Sequence, residues 1–235
     1  MTADFILSEL LSLRSEARAA GASRFFKTGK GEYGEGDRFL GISSPAVRAV
    51  AKVNKAIPPE ELQRLIESPW HEARLCAFLI LVYRTQGKRT PESEREWAYQ
   101  FFMRNTAHCN NWDLVDLTCR DVVGNYLLHR DRAPLYALAQ SQDLWEQRIS
   151  IVSTWAFIKA GEFDDTFTLV LQLRKHPHDL IHKAMGWMLR EIGKKEQSAL
   201  IDFLERHAAS LPRTTLRYAI ERFTEAERHY FLHKR

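Results

Sequence analysis

The chain of 235 residues carries 34 basic and 30 acidic side chains, and 45% of its residues are hydrophobic, including 6 Trp and 13 Phe. This composition supplies enough apolar surface for a sizeable core and excludes a disordered chain. The formal net charge of +4 permits an acidic partner such as nucleic acid but does not demand one.

The N-terminus and the cysteines favour a cytosolic protein. Asp4 stands where a signal peptide carries bases, and no stretch approaches the roughly 18 apolar residues of a membrane span. Cys76, Cys109 and Cys119 form neither a CxxC pair nor an even disulfide set. We interpret them as buried thiols in a reducing compartment and expect a cytoplasmic protein without membrane contact.

Apolar residues recur at spacings of three and four along nearly the whole chain, as in Leu75, Phe78, Leu79 and Val82. The alternation typical of strands is almost absent. Prolines and glycines divide this pattern into segments of roughly 10 to 17 residues. The sequence therefore predicts an all-α protein.

The segment Gly29–Arg38 interrupts the helical pattern near the N-terminus. It holds four of the 11 glycines, which rules out the interior of a helix. It lacks the order of a phosphate-binding loop, and its three acids would repel a nucleotide. We interpret it as an ordered surface loop, flanked by Phe25, Phe26, Tyr33 and Phe39 in packing roles rather than as base-stacking platforms.

The openings of several predicted helices share a charged position one turn along. Arg74, Arg148, Lys183 and Arg217 occupy it in four segments, and Asp116 occupies it in a fifth. The steps from 74 to 116, 148, 183 and 217 are 42, 32, 35 and 34 residues, which is the period of helical-hairpin repeats. Such hairpins stack because none can bury its apolar face alone.

We therefore predict a curved superhelical array of helical hairpins whose concave face carries these five side chains. The alternative is that they are solvated ends of amphipathic helices. The array is expected to form one domain over residues 1–235, with N-terminal helices and the glycine-rich loop in 1–57 and the repeats in 58–235.

Metal and nucleophile motifs are absent from the sequence. The nine histidines are scattered without an HExxH pattern, and no GxSxG or Cys/His catalytic arrangement is evident. We expect neither a metal nor a cofactor.

The run from Asn111 to Asp116 combines a large indole with two acids at the start of a helix. We interpret Asp113 as a structural acid that satisfies exposed backbone N–H groups. Asp116 lies one turn beyond Trp112 on the same side of the helix. An ion pair of Asp116 with Arg120 at i+4 is the structural alternative.

A second tryptophan has cations on its own helix face. Lys183, Trp187 and Arg190 are spaced i, i+4 and i+7. Taken alone, Trp187 would be a packing residue, but a basic stripe belongs in water or on phosphate. With Trp112 it could form two aromatic walls around a carboxylate in a basic groove.

These features together resemble the AlkD-like family of bacterial DNA alkylation-repair glycosylases, which are built from HEAT-like repeats. The resemblance spans nearly the whole chain and rests on residues 25–42, 111–116, 144–148, 183–191 and 212–222. It places the family's tryptophan and catalytic aspartate on Trp112 and Asp116, its second active-site tryptophan on Trp187, and its DNA-backbone arginine on Arg148. The glycine-rich loop is longer here than the matching connection in the best-characterised branch.

The resemblance implies a monofunctional glycosylase of base excision repair that hydrolyses the N-glycosidic bond of cationic N3- or N7-alkylated purines. Its partner is double-stranded DNA containing such purines, bound by a monomer at the nucleoid without metal. The expected phosphate ligands are Arg148, Lys183, Arg190, Arg213 and Arg217. The alternatives are a non-catalytic HEAT-repeat binder of branched or damaged DNA and a protein-interaction scaffold, neither of which has a use for Asp116.

Overall fold

The computed structural model describes residues 1–234, and its ordered elements are helices. An isolated bridge between Arg38 and Trp70 is the sole strand-like pairing in this range. The all-α prediction is confirmed. The chain divides into two compact units, Met1–Val122 and the residues from Val123 onward; the single repeat domain over 1–235 and its concave face stay predictions.

The helices of the first unit are α1 Ala3–Ser12, α2 Glu16–Phe25, α3 Ser44–Val53, α4 Pro59–Ile66, α5 His71–Thr85, α6 Glu92–Arg104 and α7 Trp112–Asp116. Those of the second unit are α8 Asn125–Leu127, α9 Ala133–Ala139, α10 Leu144–Ser153, α11 Trp155–Ala160, α12 Asp164–Leu173, α13 Asp179–Lys195, α14 Gln197–His207, α15 Arg213–Ala219 and α16 Glu225–His233. Several are shorter than predicted; α7 has 5 residues and α11 has 6.

Helix α5 is the centre of the first unit. Its apolar residues continue around the whole helix, and Phe78, Leu79 and Ile80 are fully buried. An apolar surface on every side suits a helix that is enclosed by its neighbours. Accordingly α3, α4 and α6 pack against α5, and α1 covers α3 and α4.

Helix α13, with 17 residues, has the same place in the second unit. It contacts α10, α11, α12, α14 and α15. Gly186 lets α15 approach closely, because a Cβ atom there would lie 2.4 Å from the Cβ of Tyr218 and 2.6 Å from the carbonyl oxygen of Thr215. The helices that carry Arg148, Lys183 and Arg217 are therefore neighbours.

All three cysteines are buried thiols, as the sequence predicted. Burial raises the pKa of Cys76 to about 12. Burial also raises the pKa of Cys109 well above its ordinary value, reinforced by the charges of Cys119, Asp113 and Asp116. No helix within residues 1–234 is long and apolar enough to cross a membrane.

Candidate active site

Helix α7 presents Trp112 and Asp116 from a firmly anchored backbone. The Asn111 side chain caps the helix by accepting a hydrogen bond from the Trp112 backbone N–H at 2.9 Å. Leu114 and Val115 are fully buried on the inner side. Trp112 and Asp116, one turn apart, remain half-buried on the other side.

Aromatic rings fix the position of the Trp112 indole. Phe26 stacks on it with a centroid distance of 5.2 Å, and Phe26 also stacks on Phe39 at 5.0 Å. Phe25 meets Trp112 edge to face at 5.7 Å while 64% of Phe25 remains exposed. The packing role predicted for Phe26 and Phe39 is confirmed, whereas Phe25 leaves most of its ring to solvent.

Asp113 points inward, toward the start of α5. One carboxylate oxygen accepts a hydrogen bond from the Leu114 backbone N–H at 2.9 Å, the structural contact that the sequence suggested. The other oxygen lies 2.9 Å from Nε2 of His71. This second contact was not predicted.

His71 lies between two carboxylates. Its Nδ1 is 2.7 Å from Asp37, the last acid of the glycine-rich segment, and its Nε2 faces Asp113. The guanidinium of Arg74 donates to the second oxygen of Asp37 and to the carbonyl of Ser68 at 2.9 Å. We call Asp37, His71, Arg74 and Asp113 the buried network, because each of these residues is at most 9% exposed.

Two ionised carboxylates that face both ring nitrogens favour a protonated imidazole, since a neutral ring has one N–H to donate. Burial lowers the pKa of His71, but the charges and hydrogen bonds of Asp113 and Asp37 outweigh it and raise the pKa to about 9. Burial works to raise the pKa of Asp37, yet the contacts with His71 and Arg74 hold it below its ordinary value.

Arg74, which the periodicity assigned to the concave face, is 6% exposed and does not line an open surface. Its side chain is needed inside the first unit, where it neutralises Asp37. Burying a carboxylate between two cations costs far less free energy than burying an unpaired carboxylate. Sequence periodicity identified the helix position correctly but could not reveal a partner 37 residues away.

The backbone after the glycine-rich segment is attached to the same end of α5. The Glu72 carboxylate accepts hydrogen bonds from the backbone N–H groups of Leu40, Gly41 and Ile42 at 2.8, 2.8 and 3.1 Å. Gly41 has a φ of 77° and lies so close to α2 that a Cβ would be 2.2 Å from the carbonyl of Ser15. A side chain at this position would force the two segments apart.

The glycine-rich segment itself is ordered, as predicted. Glu32 accepts from the Gly29 N–H and Glu35 from the Gly31 N–H, both at 2.8 Å. Gly34 packs against the chain at Phe26, where a Cβ would be 2.4 Å from the carbonyl oxygen. The acids of the segment thus bind its own backbone.

In the second unit, Arg148 is 5% exposed and donates to the carbonyl of Leu180 at 2.6 Å. This bond joins α10 to the start of α13. Two partly exposed cations of α13 have carboxylate partners: Lys183 lies 2.8 Å from Asp179, and Arg190 pairs with Glu221.

The remaining predicted site residues lie on α13 and α15. Trp187 is half-buried and donates its indole N–H to Glu191 at 3.1 Å. Arg213 is exposed and donates to the carbonyl of Leu232 at 2.8 Å, and Arg217 is exposed. Because α13 packs against α15, the predicted cations of these two helices share one region of the second unit.

The sequence reasoning missed Asp37, His71 and Glu72. An available signal was the His-Glu pair at the first turn of the apolar helix α5, since polar groups at the start of a buried helix need partners. No cluster of three or more His, Cys, Asp or Glu side chains able to hold a metal occurs within residues 1–234.

Comparison with known proteins agrees with this architecture. The family model described as DNA alkylation repair enzyme matches residues 6–223, so the chain belongs to that family. A solved structure described as a predicted DNA alkylation repair enzyme from Enterococcus faecalis superposes with a TM-score of 0.67 at 19% identity. The superposition covers 90% of this chain and 97% of the Enterococcus faecalis chain, and it shows that the two share a fold. No curated protein matches the chain.

Proposed function

We propose that this DNA alkylation repair protein is a monofunctional glycosylase that hydrolyses the N-glycosidic bond of N3- or N7-alkylated purines in duplex DNA. One observation carries the proposal: Trp112 and Asp116 lie half-buried and one turn apart on a short helix fixed by a cap, an aromatic stack and the buried network. A rigid carboxylate beside an aromatic face suits a substrate that carries positive charge.

The chemistry requires one carboxylate. An alkylated purine is already cationic and leaves without protonation, so the remaining barrier is the positive charge that grows on the deoxyribose. The Asp116 carboxylate stabilises that charge and orients the attacking water. The Trp112 ring contributes about 0.5–2 kcal/mol through its contact with the cationic lesion or sugar.

The second unit supplies the contacts to the DNA backbone in this proposal. Lys183 and Arg190 exchange their carboxylate partners for phosphates, and the exposed Arg213 and Arg217 bind phosphates directly. The resemblance implies a phosphate contact for Arg148; because its side chain is 5% exposed and donates to the Leu180 carbonyl, we propose that it acts by holding the start of α13. Trp187 offers a ring face to the DNA.

We place the protein in the cytoplasm, at the nucleoid, acting as a monomer and without a cofactor. Cationic N3- and N7-alkyl purines are its substrates. Neutral lesions such as hypoxanthine, uracil and 8-oxoguanine are left in place, because no second acid is assigned to protonate the leaving base.

The test is base release from defined duplexes. Oligonucleotides carrying one N7-methylguanine, hypoxanthine, uracil or 8-oxoguanine are incubated with excess protein, and the products are separated before and after alkaline cleavage. We expect release of the methylated base alone, with a strand that breaks only after alkali. Duplex binding without release would instead identify a DNA-structure binder, and release of a neutral base would overturn the single-acid mechanism.

A further inference from the structure

His71 does not reach the surface, yet it joins the two segments that shape the surroundings of Trp112. Its side chain is 2% exposed, and its two ring nitrogens bind acids from elements far apart in the sequence. Asp113 belongs to α7, the helix that carries Asp116. Asp37 is the last acid of the glycine-rich segment, which follows Phe26, the ring stacked on Trp112.

The surroundings of the imidazole leave it little freedom. Phe39 stacks on it at 4.4 Å and Phe26 is tilted against it at 5.2 Å. The charged groups around it are Asp37 from the glycine-rich segment, Asp113 from α7 and, beyond Asp37, Arg74 from α5 itself. A change in the imidazole therefore acts on α7 and on the glycine-rich segment together.

We propose that the imidazolium of His71 is a positioning group for base excision, holding the helix of Trp112 and Asp116 against the glycine-rich segment by bridging Asp113 and Asp37. This inference rests on the proposed glycosylase function. His71 is too deeply buried to touch DNA directly. It acts on the reaction by fixing where the Asp116 carboxylate and the Trp112 ring stand, and small displacements of such groups lower the rate steeply.

The bridge holds while both ring nitrogens carry protons. Loss of one proton leaves a ring nitrogen facing a carboxylate oxygen, so that contact turns from attraction to repulsion. The rate of excision should therefore fall as the pH rises through about 9, the pKa that the carboxylates impose on His71.

The experiment measures single-turnover release of N7-methylguanine from duplex DNA between about pH 6 and 9.5, a range that includes the ordinary and the raised pKa of histidine. Protein-free duplex at each pH corrects for spontaneous loss and for alkaline damage to the lesion. His71→Gln is compared with wild type and with His129→Gln, which removes an exposed histidine. Duplex affinity is measured by fluorescence anisotropy on the same samples.

We expect His71→Gln to release the base at least about tenfold more slowly, with duplex affinity within about threefold of wild type, because positioning affects the chemical step and not phosphate contacts. The alkaline decline should disappear in this variant and persist in His129→Gln. A second variant, Asp37→Asn, keeps His71 and Asp113 but removes one carboxylate, so its decline should move to lower pH.

An unchanged rate in His71→Gln, or an alkaline decline that does not move in Asp37→Asn, overturns the role of His71 while the glycosylase stands. If His71→Gln does not fold, the shift in Asp37→Asn decides the question alone. If wild type releases no alkylated purine at any pH, the proposed function fails, and the role of His71 in excision fails with it.

Discussion

Asp113 and Asp116 belong to one helix of five residues and have different surroundings. Asp113 faces inward and is bound by His71 and by a backbone N–H, so its charge is used inside the protein. Asp116 is half-buried on the outer side. The proposed chemistry therefore belongs to Asp116, and the buried acid has a structural task.

We predict that Asp116→Asn lowers the single-turnover rate of N7-methylguanine release at least about a hundredfold, because the amide cannot stabilise the positive charge of the transition state. Duplex affinity should stay equal or rise slightly, since a charge that repels phosphate is removed. Asp164→Asn, at the exposed start of α12, is the matched control and should keep the wild-type rate. Substantial release by the Asp116 variant would disprove its catalytic role.

Single side chains differ in how far the sequence predicts them. The pattern of Trp112 and Asp116 is local, so helical spacing was enough to place them on one side of α7. His71, the partner of Asp113, lies 42 residues away in the sequence, and Asp37, the second partner of His71, lies 34 residues from His71. Contacts of that kind depend on how separate elements pack. The sequence around a histidine or an aspartate therefore does not reveal them.

At the scale of elements, helix type was predictable but helix length was not. The apolar periodicity is strong throughout, which is why the all-α class follows from it. The ends of helices depend on caps and on tight turns. Helix α7 ends after 5 residues, although the apolar periodicity predicts a longer helix. Likewise, the bond from Arg148 to the Leu180 carbonyl joins two helices that the periodicity describes only separately.

Glycine-to-alanine substitutions separate helix propensity from helix packing. Gly21 in α2 has nothing within 4 Å of a built Cβ, whereas Gly186 in α13 meets Tyr218 at 2.4 Å. Gly21→Ala should raise the free energy of unfolding by about 0.5–1 kcal/mol through propensity alone. Gly186→Ala should lower the free energy of unfolding by about 1–3 kcal/mol, because the cost of overpacking against α15 exceeds the stabilisation from the higher helix propensity of alanine.

Urea unfolding of both variants under one set of conditions tests this pair. The two free energies should move in opposite directions from wild type. Equal stabilisation by both alanines would mean that α15 can move away from α13 at no cost, and that the close approach at Gly186 does not hold the cation-bearing helices together.

The stability of the whole molecule should depend on pH through the buried network. The pKa of His71 is raised from 6.5 to about 9 on folding, so its contribution is complete below pH 6.5 and is lost as the pH rises through about 9. The pKa of Asp37 is lowered from 3.8, so its contribution is complete above pH 3.8 and is lost as the pH falls through the folded value.

We therefore expect both contributions in full between about pH 4 and 6.5, and a loss on the order of a few kcal/mol between pH 6.5 and 9. Urea midpoints of wild type and His71→Gln, measured across this range, check the prediction. The alkaline slope should be present in wild type and nearly absent in the variant. Equal slopes in the two proteins would show that other groups cause the loss.

The burial of the three thiols has a consequence under the conditions in which a DNA alkylation repair protein is needed. The electrophiles that methylate purines also attack cysteine, and they react with the thiolate. All three cysteines are buried, and the raised pKa values keep Cys76 and Cys109 protonated at neutral pH. The folded protein therefore exposes few reactive thiolates to alkylating agents, and its cysteines can stay unmodified while the DNA around it is being damaged.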